Sequence, residues 1–230
     1  MTDTLTDFGR TLVIAPHPDD EILGCGGTMK RLSQAGQEVI VTVVTTGQPP
    51  AYAESEIARV RSEAEQAHAL LGVRETCWLG LPAARLSETP HSELNAALHK
   101  VMQKVDPATL LIPFAGDIHR DHQLTFLSAL VAARPHQEKF PRRILAYETL
   151  SETNWNAPYL SPGFLPNVFI DISETLEAKL EAMALFGSQL RAFPHERSAE
   201  ALRALARLRG AAMHMHAAEA FVLVRQVVER

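Results

Sequence analysis

Residues 11–21 read TLVIAPHPDDE, an apolar run that ends in two prolines, one histidine and three consecutive acids. The run is typical of a buried strand, so the polar cluster falls where that strand ends. Buried neighbouring carboxylates repel each other and lose hydration, and a fold keeps Asp19, Asp20 and Glu21 together only if a cation or strong donors compensate them. Asp19 or Asp20 alone would indicate a cap for a helix beginning near Ile22. With His17 and both prolines in the same turn, the pattern favours a divalent metal site.

Apolar and helical segments alternate on both sides of this stretch. Strand-like runs occupy residues 11–15, 38–45, 76–79 and 109–113, and helix-like segments occupy 22–35, 54–71 and 92–105. This alternation is typical of βαβ units, and near-continuous apolar strands such as 39–44 indicate a parallel sheet covered on both faces. We therefore expect an α/β fold, Rossmann-like and doubly wound, with a mostly parallel sheet and helices on both faces.

The second half of the chain has a mixed pattern. Strands are predicted at 143–147, 168–172 and 221–227, and helices at 174–186 and 199–215. A length of 230 residues favours one domain. Within it, residues 1–135 are predicted to form a βαβ half with the metal site, and residues 136–230 a mixed α/β half. Segment 151–167 contains three prolines and is predicted to be an irregular loop beside the substrate.

The composition of the chain argues against nucleic acid and membranes as binding partners. The chain is 46% hydrophobic and has a formal net charge of -5, so no general basic field attracts nucleic acid or an anionic membrane. Cys25 and Cys77 lack a metal-ligand spacing, are predicted to be small buried residues, and suit a reducing compartment. Residues Met1–Asp7 show no targeting pattern, and no apolar stretch is long enough to cross a bilayer. We expect a cytoplasmic protein without membrane insertion.

A second polar cluster, GDIHRDH at residues 116–122, follows the strand at 109–113. Ligands of open parallel sheets bind beyond the carboxyl ends of the strands, so the two clusters share one cleft if their strands are near neighbours. His17, Asp20 and His122 would then supply two imidazoles and one carboxylate. Three protein ligands of this kind leave a catalytic zinc an open position, although other divalent metals also fit.

The remaining residues of the two clusters offer the other groups that hydrolysis needs. Asp19 is predicted to be the general base, because in a tight turn its side chain points away from that of Asp20. His119 would donate a hydrogen bond to the oxyanion or a proton to the leaving amine. Asp121 or Asp117 would orient one of the imidazoles; we group Asp121 with the catalytic residues and Asp117 with those that bind substrate.

These motifs carry a resemblance to a known family. APHPDDE followed by ILGCGG, and then GDIHRDH, resemble the zinc-dependent N-deacetylases of the LmbE / PIG-L family. Supporting matches extend over nearly the whole chain, at Leu70–Val73, Tyr147-Glu148, Lys179, Ser188–Leu190, Pro194–Ser198, Arg209-Gly210 and Ala218–Phe221.

The resemblance implies zinc on His17, Asp20 and His122, Asp19 as base and His119 as helper. It also implies that acetyl is removed from an N-acetylated amino sugar, often a conjugate of N-acetylglucosamine, to release acetate and a free amine. A homo-oligomer is favoured on the same ground.

Substrate contacts are expected from three further residues. The family often has an arginine three residues before a glutamate in the helix that precedes Leu70–Val73; Arg61 lies in that helix, although Arg59, Arg61, Glu63 and Glu65 do not reproduce the spacing. His195 and Arg197 belong to the segment PHERS, which resembles a branch associated with surface-polysaccharide biosynthesis. They are expected to contact the sugar or a phosphate on its carrier, unless they only join the last helix to the sheet.

Three other interpretations of these motifs exist. Two histidines and a carboxylate also form the facial triad of non-haem iron oxygenases, although such sites need no adjacent base like Asp19. A non-enzymatic sugar-binding module would keep the fold without the chemistry. Gly24-Cys25-Gly26-Gly27 suggests a dinucleotide loop, but the third glycine is missing at Met29 and an acidic turn lies where pyrophosphate would bind.

Overall fold

A computed structural model describes residues 4–228, so Met1–Asp3 of the segment used for the targeting prediction lie outside the described residues. Within the described residues, seven strands form one sheet: β1 Thr11–Ala15, β2 Val39–Thr46, β3 Glu75–Pro82, β4 Thr109–Pro113, β5 Arg143–Tyr147, β6 Val168–Asp171 and β7 Ala218–Gln226. The same part of the chain contains six α-helices: α1 Asp20–Gln34, α2 Glu54–Leu71, α3 His91–Val105, α4 Arg120–Ala132, α5 Leu176–Leu185 and α6 Ala199–Ala211.

The strand order is β3-β2-β1-β4-β5-β7-β6. Strands β1 to β5 pair in parallel, whereas β7 is antiparallel to both β5 and β6. Val13 and Leu12 point to opposite faces and belong to two separate buried cores, one with α1, α2, α5 and α6, the other with α3 and α4. The predicted α/β, doubly wound, mostly parallel sheet in a single domain is confirmed.

Strands β1 and β4 are neighbours, with Thr11 opposite Thr109. Both strands are buried along their whole length and run in the same direction, so their carboxyl ends meet at one edge of the sheet. The chain order reverses here, because β2 lies on one side of β1 and β4 on the other. This is the topological switch point where open α/β sheets bind their ligands.

Close packing explains the glycines of α1. A Cβ on Gly24 would collide with the ring of Tyr147, and one on Gly27 would lie 2.8 Å from Ile172. These glycines let strand β5 and the residue after β6 approach the helix backbone. The dinucleotide interpretation is therefore not needed to account for them.

A buried ion pair reinforces the same part of α1. Lys179 Nζ lies 2.6 Å from Glu219 Oε1 and donates to the carbonyl oxygen of Leu23 at 2.8 Å. The Glu219 carboxylate accepts the backbone N–H groups of Gly27 and Thr28 at 2.9 and 2.7 Å. Helix α5 and strand β7 thus hold α1 directly behind the polar turn.

Some boundaries differ from those predicted. Helix α4 was not predicted as an element, and β3 extends beyond the predicted 76–79 at both ends. Helix α6 ends at Ala211 instead of residue 215, because Met213 and Met215 both donate to the carbonyl oxygen of Gly210. Cys25 is fully buried as predicted, but Cys77 on the edge strand β3 is only partly buried.

None of the helices within residues 4–228 is both long and apolar enough to cross a membrane.

Candidate metal centre and active-site cleft

The two polar clusters converge where β1 and β4 end. Asp20 begins α1 and His122 lies in the first turn of α4, so each helix start presents one ligand type to the same point. Asp20 Oδ2 lies 3.2 Å from His17 Nδ1 and 3.1 Å from His122 Nε2. The ligand atoms of the three residues all lie within 4.8 Å of one another. The structure therefore brings the predicted ligand set together.

The donor set fits a divalent metal. Tetrahedral zinc with bonds of about 2.0–2.2 Å places its ligand atoms ~3.4 Å apart, close to the separations found here. Asp20 and His122 are both fully buried. Within residues 4–228, Asp20 Oδ1 and His122 Nε2 make no hydrogen bond. Buried polar atoms without partners are costly, and a bound cation would satisfy both.

Two further carboxylates orient the imidazoles. Asp121 Oδ2 lies 3.0 Å from His17 Nε2, and Asp117 Oδ2 lies 2.8 Å from His122 Nδ1. Each contact involves the ring nitrogen that faces away from Asp20 and fixes the orientation of its ring. Asp121 also accepts the backbone N–H groups of Ala84 and Leu86, which ties the loop after β3 to the site.

Asp117 is not placed to touch a substrate. It is fully buried, and its second oxygen accepts a hydrogen bond from Thr153 Oγ1 at 2.6 Å. Both oxygens of the Asp117 carboxylate already have hydrogen-bond partners inside the protein. The structure therefore gives no support to the predicted contact between Asp117 and a substrate. The geometry gives Asp117 the orienting position that the sequence also allowed.

Asp19 points away from the ligand set, as predicted for a base. Its φ of 119° is in the left-handed region, which for a residue other than glycine costs of the order of 1–3 kcal/mol. The carboxylate Oδ2 lies 2.8 Å from Arg197 Nη1, and Asp19 is 2% exposed, at the edge of the cleft. Burial raises the pKa of Asp19 to about 8, although the Arg197 guanidinium opposes the rise.

His119 lies beside His17, with ring centroids 4.6 Å apart. Its Nδ1 accepts the backbone N–H of Asp121 at 3.1 Å, so the neutral ring carries its proton on Nε2. Burial, together with the positive charge of His17, lowers the pKa of His119. His119 lines the cleft with Nε2 as its N–H donor, and its assistance to an oxyanion or leaving group stays a prediction.

The three candidate ligand residues shift one another's pKa values. Burial lowers the pKa of His122, but the Asp20 charge overcomes this and raises it to about 10. The pKa of His17 rises to about 9 because its hydrogen bonds to Asp121 and Asp20 outweigh burial. Burial opposes ionisation of Asp20, yet His122 and His17 hold its pKa well below the usual range. The buried carboxylate thus requires positive charge, which protons or a metal ion can supply.

A cleft of about 450 Å³ opens over these groups. His17, Asp19 and His119 line its floor, and α2 together with the 188–197 segment provides much of the wall. Arg61 lies on this wall, with its guanidinium 4.9 Å from the centroid of the Trp78 ring. Arg61 is also paired with Glu65 at 3.1 Å. Its predicted substrate contact is therefore compatible with its place in the cleft.

Arg197 and His195 have different positions. Arg197 lines the cleft, donates to Ser151 Oγ at 3.0 Å, and lies between Asp19 and Glu152. His195 is exposed, lies outside the lining, and accepts the backbone N–H of Arg197 at 3.0 Å. This contact lies within the segment itself, so both the substrate contact and the alternative of a link between the last helix and the sheet stay predictions for His195.

Several residues of the site carry no signal in the two motifs. Thr153 holds Asp117, Glu152 and Gln189 line the cleft, and Trp78 supports Arg61. Only the position of Glu152 and Thr153 inside the predicted loop 151–167 indicated that part of this segment approaches the site. Within the loop, Ser151–Thr153 are buried, whereas Tyr159, Leu160 and Leu165 are exposed.

The fold and site together define a class of protein: an α/β sheet with a His-His-Asp set that could hold a metal ion at its switch point, and an acid and an imidazole beside that set in the cleft. The chain belongs to the PIG-L family, described as GlcNAc-PI de-N-acetylase, whose sequence pattern matches residues 12–133.

Similar proteins include the diacetylchitobiose deacetylase of Thermococcus kodakarensis, 30% identical over 85% of this chain and 74% of that protein. The crystallised N,N'-diacetylchitobiose deacetylase of Pyrococcus horikoshii is 27% identical, with a TM-score of 0.76 over 97% of this chain and 86% of that one.

The same fold also occurs in GalB, the 4-carboxy-2-hydroxymuconate hydratase of Pseudomonas putida, with a TM-score of 0.78 over 96% of this chain and 98% of that one. Its identity to this chain is 19%, so the likeness concerns the fold alone. Fold does not determine activity, and the argument for function has to come from the site.

Proposed function

We propose that this protein is a zinc-dependent N-deacetylase that removes acetyl from an N-acetylated amino sugar and releases acetate and a free amine. The observation that carries the proposal is the convergence of His17, Asp20 and His122 at the floor of a cleft that also holds Asp19 and His119. The similarity to deacetylases of diacetylchitobiose supports an amino-sugar substrate.

An amide is a poor electrophile with a poor leaving group, so its hydrolysis needs a nucleophile, oxyanion stabilisation and a proton for nitrogen. His17, Asp20 and His122 would hold a divalent metal such as zinc, which when bound would lower the pKa of water to about 7 and polarise the carbonyl oxygen. Asp121 and Asp117 hold the two imidazoles with their other ring nitrogens toward Asp20.

The protein's own groups move the protons. Asp19 removes a proton from the attacking water, and the nearby Arg197 guanidinium stabilises its carboxylate. His119 donates the hydrogen bond or proton that the oxyanion or leaving amine requires, since the residue lines the cleft and its Nδ1 already accepts a backbone N–H, which leaves Nε2–H as the donor. Positioned acids and bases of this kind contribute about 10²–10⁴-fold each.

The test is acetate release by zinc-loaded protein from N-acetylglucosamine, N,N'-diacetylchitobiose and a series of N-acetylglucosaminides. Equal amounts of acetate and free amine are expected, and chelation followed by zinc addition should abolish and restore them. A protein that binds the sugars with stoichiometric zinc but releases no acetate would be a binding module. Iron content with oxygen consumption would instead indicate an oxygenase.

A further inference from the structure

A buried polar chain lies beside the metal-binding set, and the proposed chemistry does not use it. Glu21 is fully buried and His68 on α2 is 2% exposed. Glu21 Oε1 lies 2.9 Å from His68 Nε2, and His68 Nδ1 lies 2.8 Å from Thr76 Oγ1 on β3. One arrangement of hydrogens satisfies every atom: the threonine hydroxyl donates to Nδ1, and Nε2–H donates to the carboxylate.

The other end of this chain reaches Asp19. The second oxygen of Glu21, Oε2, accepts the backbone N–H of Asp19 at 3.2 Å. Asp19 is the residue whose φ is 119°, and its conformation sets the direction in which the carboxylate leaves the turn. A strained conformation persists only where surrounding contacts enforce it. Glu21 provides such a contact to the backbone of Asp19. On the cleft side, Arg197 contacts the carboxylate of Asp19 at 2.8 Å.

We propose that His68, acting through Glu21, is a positioning residue for Asp19. The proposal rests on the proposed function, in which Asp19 is the base. Glu21 alone could rotate away from the Asp19 N–H, because its side chain has several rotatable bonds. His68 fixes its other oxygen, and Thr76 fixes His68, so two further elements of the fold hold the Asp19 backbone.

The alternative is that Glu21 and His68 only stabilise the fold. Both roles predict a loss of stability when the pair is broken, so a lower Tm does not separate them. A positioning role also predicts a lower kcat in fully folded, zinc-loaded protein with KM unchanged, because misplacement of a catalytic group by ~1 Å can cost about 10²-fold.

The first experiment compares His68→Leu, His68→Gln and Leu71→Val. Leucine removes both hydrogen bonds, whereas glutamine retains an N–H donor for Glu21; Leu71 is a fully buried apolar core residue at the end of the same helix. We expect His68→Leu to lower kcat about 10- to 100-fold at equal zinc content, with His68→Gln restoring most of it. Leu71→Val should lower Tm without changing kcat. Unchanged kcat in folded His68→Leu would overturn the proposal.

The second experiment places His68→Leu in an Asp19→Asn background. If His68 acts through the Asp19 carboxylate, His68→Leu should cost little of the residual turnover that remains in Asp19→Asn. An equal fold-loss in both backgrounds would overturn the proposal and leave the deacetylase assignment intact.

A crystal structure of His68→Leu tests the same point without turnover. We expect the Asp19 carboxylate to leave Arg197, and an unchanged contact would contradict the proposal. Absence of acetate release from the wild-type protein would count against the proposed function alone.

Discussion

Asp19 and Asp20 are adjacent in the sequence, but their side chains face opposite ways. Asp20 points at two imidazoles, and Asp19 points at a guanidinium at the edge of the cleft. The left-handed conformation of Asp19 separates the two carboxylates. One turn therefore places one carboxylate beside two imidazoles and the other at the cleft, which is the arrangement that the proposed ligand and base roles require.

The separation predicts different results for two variants. Asp19→Asn should retain zinc and lose about 10²–10⁴-fold in turnover, because the amide cannot accept the proton. His122→Ala should lose zinc and turnover together, since it removes a buried ligand. Zinc content by mass spectrometry of the native protein, measured beside acetate release, checks both expectations. His119→Ala is the matched control, which should keep its zinc; near-normal turnover in zinc-replete Asp19→Asn would contradict the base assignment.

The orienting carboxylates predict an effect on affinity. Asp117→Asn and Asp121→Asn should each weaken zinc binding by about 10- to 100-fold, because they disturb the imidazoles that face the metal. Competition with a fluorescent zinc chelator measures the change. Asp106→Asn, at an exposed helix end on another part of the surface, should bind zinc like the wild type. Wild-type affinity in both site variants would remove the orienting role.

The convergence of His17, Asp20 and His122 could be predicted from the sequence because two short motifs each follow a parallel strand. The sequence could not predict the contact between Asp19 and Arg197, which are 178 residues apart and joined through an irregular segment. For the same reason the sequence could not predict that Thr153 is the hydrogen-bond partner of Asp117. Local patterns report which residue types are present, whereas the partners of a buried carboxylate depend on long-range packing.

At the scale of elements, α4 shows why apolar periodicity can fail to predict a helix. Its buried face carries Asp121, His122, Thr125 and Ser128 before any alanine. Apolar periodicity is the main signal for a helix, and here it is broken in the first turn because Asp121 and His122 belong to the site. Most other helices and strands have apolar buried faces, and their predicted positions agree with the structure to within a few residues.

Helix α1 supports a prediction about packing. Alanine is favoured over glycine inside helices by about 1 kcal/mol, yet Gly27→Ala should destabilise the protein by about 1–3 kcal/mol. Its Cβ would lie 2.8 Å from Ile172, which cannot move without disturbing the end of β6. Urea unfolding curves measure the difference. Gly187→Ala is the control, since its Cβ would lie 3.7 Å from the nearest atom, and a stabilised Gly27→Ala would contradict the packing argument.

At the scale of the whole molecule, the metal site should contribute to stability. A ligand that binds only the folded state at about 100 times its Kd adds about 2.7 kcal/mol, which in a chain of this size raises Tm by roughly 5–10 °C. Thermal unfolding with zinc and with chelator measures the shift. The shift should disappear in His122→Ala, and a chelator-insensitive Tm in the wild type would mean that the site does not bind zinc tightly.

The two cysteines report on the integrity of the fold. Burial raises the pKa of the Cys25 thiol well above its usual range, and burial with the nearby Glu75 charge also raises that of Cys77. A thiol reagent at pH 8 should therefore modify Cys77 slowly and Cys25 only after unfolding. Mass spectrometry of the modified protein identifies the site. Cys77→Ser should abolish modification of the folded protein by the thiol reagent, whereas rapid modification of Cys25 would indicate an opening of α1.

Strand β7 has a consequence for the order in which the chain becomes structured during synthesis. Glu219 is made 192 residues after Gly27, an interval of about 10–40 s at 5–20 residues per second. The metal motifs leave the ribosome early, but the carboxylate that receives two amides of α1 arrives only with the last strand. Strand β6 must wait as well, because its partner in the sheet is β7. A ribosome stalled before residue 218 would thus carry both metal motifs on a sheet that lacks the strand beside β5.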